Sequence, residues 1–179
     1  MTCSDHTATP AEIDLLVMDV DGVLTPGEII YDGEGRELKR FDVRDGFGLK
    51  LWHAAGFSSA IITGRGGPVV SRRAEELGIA HQMHHTTDKG AAMRRLAETT
   101  GVPTARMAYI GDDWPDLPAM RLAGLPAAPA DASGPVRAAA AWVAGRPGGR
   151  GAVRQLIEHL LGGKGLLEGL LARHGYDRP

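Results

Sequence analysis

Two aspartates separated by one residue, Asp19-Val20-Asp21, follow the apolar run Ile13-Asp14-Leu15-Leu16-Val17-Met18 and precede Gly22. Such a run reads as a buried β-strand, and a strand's period of two sends Asp19 and Asp21 to the same side. Gly22 lets the backbone leave the sheet and approach a bound group closely. A carboxylate pair placed this way can divide a reaction between its members. One acts as nucleophile, and the other protonates a leaving group and then activates water, provided that a cation or a lysine tempers their repulsion. The triplet alone would also fit an acidic turn after a strand.

The rest of the chain must supply the elements that hold this pair. After the first strand, at about residues 13–19, the runs Glu28-Ile29-Ile30-Tyr31 and Glu37 to Val43 flank the turn signal Asp32-Gly33-Glu34-Gly35, which predicts a β-hairpin over 28–43. Ile29, Ile30, Tyr31 and Phe41 in that hairpin want cover. Asp45 is placed to cap a helix running to about Ala55, with Phe47, Leu51 and Trp52 on one face. A strand over 57–63 follows, then a helix over 68–77 opened by Pro68 and closed by Gly78. The rhythm repeats with a strand near 79–83, a helix over 89–100, a strand over 107–111 and a helix over about 116–123. A short strand over 125–128, a small helix near 135–140, an edge strand over 141–144 and a last helix over 152–161 complete it. Strands alternating with helices predict an α/β fold with a doubly wound, mainly parallel Rossmann-like sheet, whose ligands bind at the carboxyl ends of the strands. No linker in the sequence splits this domain. Residues 1–12 read as a mobile tail, 13–161 as the domain, and 162–179, after the Gly162-Gly163-Lys164-Gly165 break, as an extension.

Composition removes several classes of function. Twenty basic and twenty-two acidic residues give a net charge of −2, and no basic run offers a nucleic-acid or membrane surface. Cys3 is the only cysteine, so no disulfide framework or cysteine metal site can be drawn, and a reducing cytoplasm is expected. No stretch has the apolar core of an export signal or the length of a membrane span.

On a doubly wound sheet, Asp19, Thr63 and Asp112 all fall at carboxyl ends of predicted strands and converge on one crevice. In chain order, Asp19-Val20-Asp21-Gly22-Val23-Leu24-Thr25, Ile61-Ile62-Thr63-Gly64-Arg65, Asp88-Lys89-Gly90 and Tyr109-Ile110-Gly111-Asp112-Asp113 resemble the haloacid dehalogenase superfamily of phosphotransferases. Phosphoryl transfer needs in-line positioning and cancellation of charge on the phosphoryl oxygens more than it needs covalent chemistry. Under this resemblance Asp19 forms an aspartyl-phosphate and Asp21 is general acid, then general base. Thr63 and Lys89 hold the phosphoryl group, and Gly64 lies against the substrate. Asp19, the Asp21 carbonyl and Asp112 supply hard oxygen ligands for Mg²⁺, with Asp113 and Asp116 behind them. Taken singly, each has a plainer role: Thr63 can end a strand, Lys89 can be a solvated charge, and the three aspartates can favour a helix N-terminus.

The resemblance narrows further. Asp-Val-Asp-Gly-Val-Leu-Thr, the hairpin, Arg40-Phe41-Asp42-Val43-Arg44-Asp45-Gly46, the Ile-Thr-Gly-Arg run and Pro147-Gly148-Gly149-Arg150-Gly151 are similar to the cap-less phosphatase family typified by 3-deoxy-D-manno-octulosonate 8-phosphate phosphatase. That family implies a single Rossmann-like domain, a homotetramer built through the hairpins, Mg²⁺ as cofactor, and a small phosphorylated sugar acid as substrate. It also puts Arg44, Arg65 and Arg150 near the substrate. The glycines flanking Arg150 read either as a segment flexible enough to reach a neighbouring subunit or as a turn before the last helix. Met83-His84-His85-Thr86-Thr87 and Trp114 depart from the family pattern and leave the substrate open. Two other readings stand beside this one. The first is a phosphatase of another monoester, such as a nine-carbon sugar-acid phosphate; the second is a non-catalytic scaffold that keeps the fold.

Overall fold

A computed structural model describes residues 7–176. Six strands form one parallel sheet: β1 (Leu15–Met18), β4 (Ser58–Ile62), β5 (His81–Met83), β6 (Met107–Ile110), β7 (Leu125–Ala128) and β8 (Trp142–Val143), in the order β5-β4-β1-β6-β7-β8. The chain winds from β1 through β4 to β5 on one side and from β6 through β7 to β8 on the other. The winding therefore reverses between β1 and β6, where neighbouring connections diverge and leave a crevice at the strand ends. Its register sets Met18 beside Ile61 on one flank and Ile110 on the other, so the three central strands end level with one another.

Alternation along β1 divides the core. Leu16 and Met18 face a layer with Leu49, Trp52, Val70, Ala74, Val153, Leu156 and Ile157, contributed by helices α1 (Val43–Ala54), α2 (Pro68–Leu77) and α6 (Ala152–Gly163). Leu15 and Val17 face the opposite layer, with Ala92, Met93, Leu96, Ala119, Met120 and Val136 from α3 (Lys89–Thr100), α4 (Leu117–Met120) and α5 (Gly134–Ala139). All four β1 side chains are buried, as expected for a central strand covered on both faces. The predicted α/β sheet is the one observed. The hairpin pairs β2 (Ile30–Tyr31) with β3 (Glu37–Leu38) as a separate antiparallel ribbon.

Some local expectations change. The cap of α1 is Asp42, whose carboxylate accepts the Arg44 N–H at 2.7 Å; Asp45 already lies inside the first turn. The Asp45 side chain turns inward and is buried, and its oxygens accept the N–H groups of Gly151 (3.1 Å) and Arg154 (2.8 Å) at the start of α6. Gly151 has no side chain with which to cap that helix, so α1 caps α6 from across the interface. The tail expected through Glu12 is shorter. Pro10–Glu12 is a 3₁₀ turn, Ala8 is buried, and its N–H reaches the Gly124 carbonyl at 2.8 Å, while residues 1–6 lie outside the described residues. Gly162 and Gly163 belong to α6 instead of breaking it, and a Cβ on Gly163 would lie 2.5 Å from Pro10. A short helix α7 (Leu167–Arg173) follows. The helix expected over 116–123 is a 3₁₀ turn, Trp114–Asp116, leading into the four residues of α4.

Asp45 supplies both caps of α6, and Asp45→Ala leaves two buried donors unpaired, at about 1–3 kcal/mol each. Chemical denaturation is expected to show a loss of about 2–4 kcal/mol, and Asp45→Asn, which keeps one acceptor, about half of that.

Candidate active site

The crevice is built from the first residues past three adjacent strands. Asp19 follows β1, Thr63 follows β4, and Asp112 stands two residues beyond β6. Backbone pairing continues into these ends: the Asp19 N–H reaches the Ile110 carbonyl at 3.1 Å, and the Thr63 N–H reaches the Met83 carbonyl at 2.9 Å. Lys89 is the first residue of α3, whose start is fixed by Asp88 accepting the Ala91 N–H at 2.9 Å. Its ammonium lies 3.0 Å from Asp19 Oδ1 and 2.6 Å from Asp116 Oδ1. Asp19, Thr63, Lys89 and Asp116 are all buried.

Asp116 organises this cluster. Its Oδ1 accepts from Lys89 and from the Tyr109 hydroxyl at 2.7 Å, and its Oδ2 accepts the N–H groups of Asp112 (3.0 Å) and Asp113 (3.2 Å). Four donors occupy its lone pairs, so its work is to hold Lys89 and the Asp112–Asp113 backbone. Asp19, Asp112 and Asp116 offer oxygens that all lie within 4.8 Å of one another. Because Asp116 is committed, the pair left to bind a cation is Asp19 and Asp112, and the buried Asp19 Oδ1 is paired with the Lys89 ammonium at 3.0 Å. An oxygen-only donor set around two neighbouring carboxylates fits a hard divalent cation. Asp113 is exposed and enters through its backbone.

Burial and mutual repulsion set the electrostatics. Desolvation, helped by the Asp116 charge and opposed by Lys89, pushes Asp19 from 3.8 to about 6. Desolvation, then Asp116 and Asp19, push Asp112 to about 7. For Lys89, burial works against the charge, but Asp19 and Asp116 outweigh it and its pKa is raised. Burial, followed by the neighbouring carboxylates, also drives Tyr109 well up, so it stays a neutral donor to Asp116.

Two glycines let the loops close on one another. Gly22 has φ +92°, and a Cβ there would fall 2.1 Å from Asp112 Oδ2; only a residue without a side chain lets Asp112 lie against this turn. Gly148 packs onto the Gly22 carbonyl, where a Cβ would fall 1.7 Å away, and the Gly149 N–H reaches the Val23 carbonyl at 2.8 Å. The segment around Arg150 is therefore pinned, contrary to the flexibility read from its glycines. Arg150 is exposed, and its carbonyl accepts from Arg44 at 3.2 Å; the Arg44 guanidinium also pairs with Asp42 at 2.6 Å. Arg65, half-exposed, is turned toward the site by Glu37 at 2.9 Å, and the exposed Gly64 precedes it. His84 Nδ1 accepts the Gly67 N–H at 3.2 Å and so supports the turn after β4, while His85 is exposed with φ +52°.

Three participants escaped the sequence reading. Tyr109 falls within the strand predicted over 107–111, and its hydroxyl is a donor to Asp116. Glu37 and Lys39 were read only as hairpin residues, yet Lys39 reaches Asp21 Oδ1 at 2.5 Å with its side chain 1% exposed. The available signal was the period of two in the return strand, which places Glu37 and Lys39 on one face and Leu38 on the other.

A parallel sheet that reverses its winding beside an aspartate pair, with lysine and threonine at neighbouring strand ends, defines a phosphotransferase-type site of the aspartate-nucleophile kind. Comparison with known proteins gives the same class: residues 69–156 match the haloacid dehalogenase-like hydrolase family. The chain is 42% identical over 166 residues to 3-deoxy-D-manno-octulosonate 8-phosphate phosphatase of Salmonella typhi, covering 92% of this chain and 88% of that one. The crystal structure of the Moraxella catarrhalis enzyme of that name, in complex with a magnesium ion, a phosphate ion and a KDO molecule, superposes with a TM-score of 0.90 at 41% identity, over 92% of this chain and 95% of that one. The cobalt-bound Haemophilus influenzae phosphatase superposes at 0.88 with 37% identity, over 93% and 97%. The chain belongs to the haloacid dehalogenase-like hydrolases, in the cap-less branch that contains these octulosonate phosphatases.

Raised carboxylate pKa values have a definite sign. The stability that protonated Asp19 and Asp112 contribute is fully present below their unfolded value and is lost as pH rises through about 6 to 7. A cation must displace those protons, so Mg²⁺ affinity measured by calorimetry is expected to tighten about tenfold or more between pH of about 5.5 and 7.5, with protons released on binding. An affinity independent of pH over that range would exclude this pair as the ligands.

Proposed function

We propose that the protein is a Mg²⁺-dependent phosphatase that hydrolyses 3-deoxy-D-manno-octulosonate 8-phosphate through an aspartyl-phosphate on Asp19. The observation that carries this reading is the convergence of Asp19, Thr63, Lys89 and Asp112 on the ends of three adjacent strands and one helix, in a chain alike over nine-tenths of its length to phosphatases of that substrate.

Asp19 attacks phosphorus in line as the bond from phosphorus to the sugar oxygen breaks, and Asp21 gives its proton to that oxygen. Water then attacks the acyl phosphate while Asp21 takes back a proton, releasing inorganic phosphate and restoring Asp19. Lys89, held by Asp19 and Asp116, lies where it neutralises charge on the phosphoryl oxygens, and Thr63 contributes its hydroxyl and N–H. Asp19, Asp112 and the Asp21 carbonyl hold the cation, which supplies further neutralisation of the transferring group. Arg65 projects from the turn after β4 as a partner for the substrate carboxylate, with Gly64 beside it; Arg44 and Arg150 form a second cationic group near the start of α6.

Residues 13–161 form the catalytic unit in this reading, with 162–179 appended. An assembly role for the hairpin is supported by the exposure of Ile29, Ile30, Tyr31 and Leu38, an apolar patch on a ribbon too short to be stable by itself. A homotetramer joined through these ribbons covers it. A phosphorylated sugar acid is confined by its charge, which gives the enzyme a cytoplasmic place of work; no helix among the described residues is long and apolar enough to cross a membrane.

Phosphate release from a panel of sugar phosphates tests the reading. The octulosonate 8-phosphate is expected to be turned over best, and a preference for a nine-carbon sugar-acid phosphate would transfer the assignment to that substrate. Chelation abolishes turnover and Mg²⁺ restores it, while Asp19→Asn lowers kcat by about 10³-fold or more with the unfolding midpoint retained. Substantial turnover by Asp19→Asn excludes the covalent route.

A further inference from the structure

The hairpin places a buried lysine on the proposed acid–base residue. Lys39 stands one residue past β3, its side chain 1% exposed, with Nζ 2.5 Å from Asp21 Oδ1 and 3.2 Å from Glu37 Oε1. Glu37 Oε1 also accepts from Arg65 Nη2 at 2.9 Å, and Arg65 Nε lies 3.8 Å from Asp21 Oδ2. Asp21, Lys39, Glu37 and Arg65 thus close a ring of alternating charge. The ring joins the loop after β1, the return strand of the hairpin and the turn after β4. A lysine is seldom buried this fully, and two carboxylates offset the desolvation here.

The two oxygens of Asp21 are not equivalent. Oδ1 faces Lys39 and the Thr25 hydroxyl, the latter at 3.4 Å, whereas Oδ2 is buried with no hydrogen-bond donor among the described residues. An acid that delivers a proton to a leaving oxygen needs one oxygen held and the other uncommitted to a donor. We propose that Lys39 is a positioning residue for the phosphatase reaction: by engaging Oδ1 of Asp21 it presents Oδ2 for proton transfer, and so makes acid–base catalysis depend on the hairpin. This rests on the phosphatase reading above, in which Asp21 is the acid. The competing role is structural, with Lys39 merely closing the hairpin onto the domain. That role predicts losses indifferent to the leaving group.

Leaving-group chemistry separates the two. An alkyl phosphate such as the sugar phosphate requires its departing oxygen to be protonated, whereas p-nitrophenyl phosphate releases a phenolate that does not. Lys39→Met is expected to lower kcat on the sugar phosphate by about 10²-fold, within the usual range for losing general acid–base catalysis, with KM changed by less than about threefold. On p-nitrophenyl phosphate the loss stays below about fivefold, matching the pattern of Asp21→Asn. Lys39→Arg, which keeps the cation, recovers most of the sugar-phosphate rate. Unfolding midpoints and subunit state are recorded for each variant, and Glu37→Gln, which removes the second carboxylate that holds the Lys39 ammonium against Asp21, serves if Lys39→Met does not fold; it should then show a milder loss with the same leaving-group bias. Equal losses on both esters, or none on the sugar phosphate, overturn the inference while leaving the phosphatase reading intact. A parent protein inactive on both esters with Mg²⁺ removes that reading and this inference with it.

Discussion

Three carboxylates share one small volume at the end of β1, and the fold must make that tolerable. Asp19, Asp112 and Asp116 offer oxygens within 4.8 Å of one another, and burial would raise the cost of their charges without compensation. The compensation is concentrated on Asp116. Lysine, tyrosine and two backbone N–H groups saturate it, so one charge of the three is stabilised structurally and the remaining two are left under-satisfied. Asp19 and Asp112 are thereby poised for an incoming cation and an incoming phosphoryl group. A retired scaffold would have no reason to keep such a pair, since its raised pKa values are a standing cost to the folded state at neutral pH.

What holds the site is drawn from all over the sequence. The proposed nucleophile comes with β1, the lysine with α3 and the aspartates with the turn after β6, while the glycine contacts of Gly22 and Gly148 bring the chain's first and last quarters together. Each contribution is rigid because it leaves a strand end or a capped helix start. A 1 Å error in any of them would be felt in the reaction, and short excursions from regular elements limit such errors better than long loops do.

Local signals in the sequence were strong where they were local in cause. Pro68 and Gly78 bracket α2, Asp88 and Gly101 bracket α3, and the apolar run of β1 needed no partner to be recognised. The site aspartates, Thr63 and Lys89 were legible because strand ends of a doubly wound sheet converge by topology. Interactions between distant segments were not legible. Asp45 has the composition and position of a cap for its own helix, and only the packing of α1 on α6 shows that it caps the other. The glycines around Arg150 read as flexibility because a sequence does not show what backbone lies against them. Lys39 sits on a ribbon whose outward face carries Leu38 and whose inward face carries charge, the reverse of an ordinary surface hairpin, and that inversion has meaning only once the ribbon is seen folded over the site.

The contact between Gly148 and Gly22 also orders the events of biosynthesis. The turn that carries Asp21 rests on a backbone segment made about 125 residues later, and the α6 start that follows it is capped from α1. A ribosome that has delivered the chain through Asp116 has delivered Asp19, Asp21, Thr63, Lys89 and Asp112, yet the loop bearing two of them still lacks its floor. The nascent chain therefore carries its clustered acids unassembled until the final quarter emerges. Premature termination between Asp116 and Gly148 leaves a polypeptide holding the clustered aspartates, Thr63 and Lys89 with nothing beneath the turn that carries Asp21.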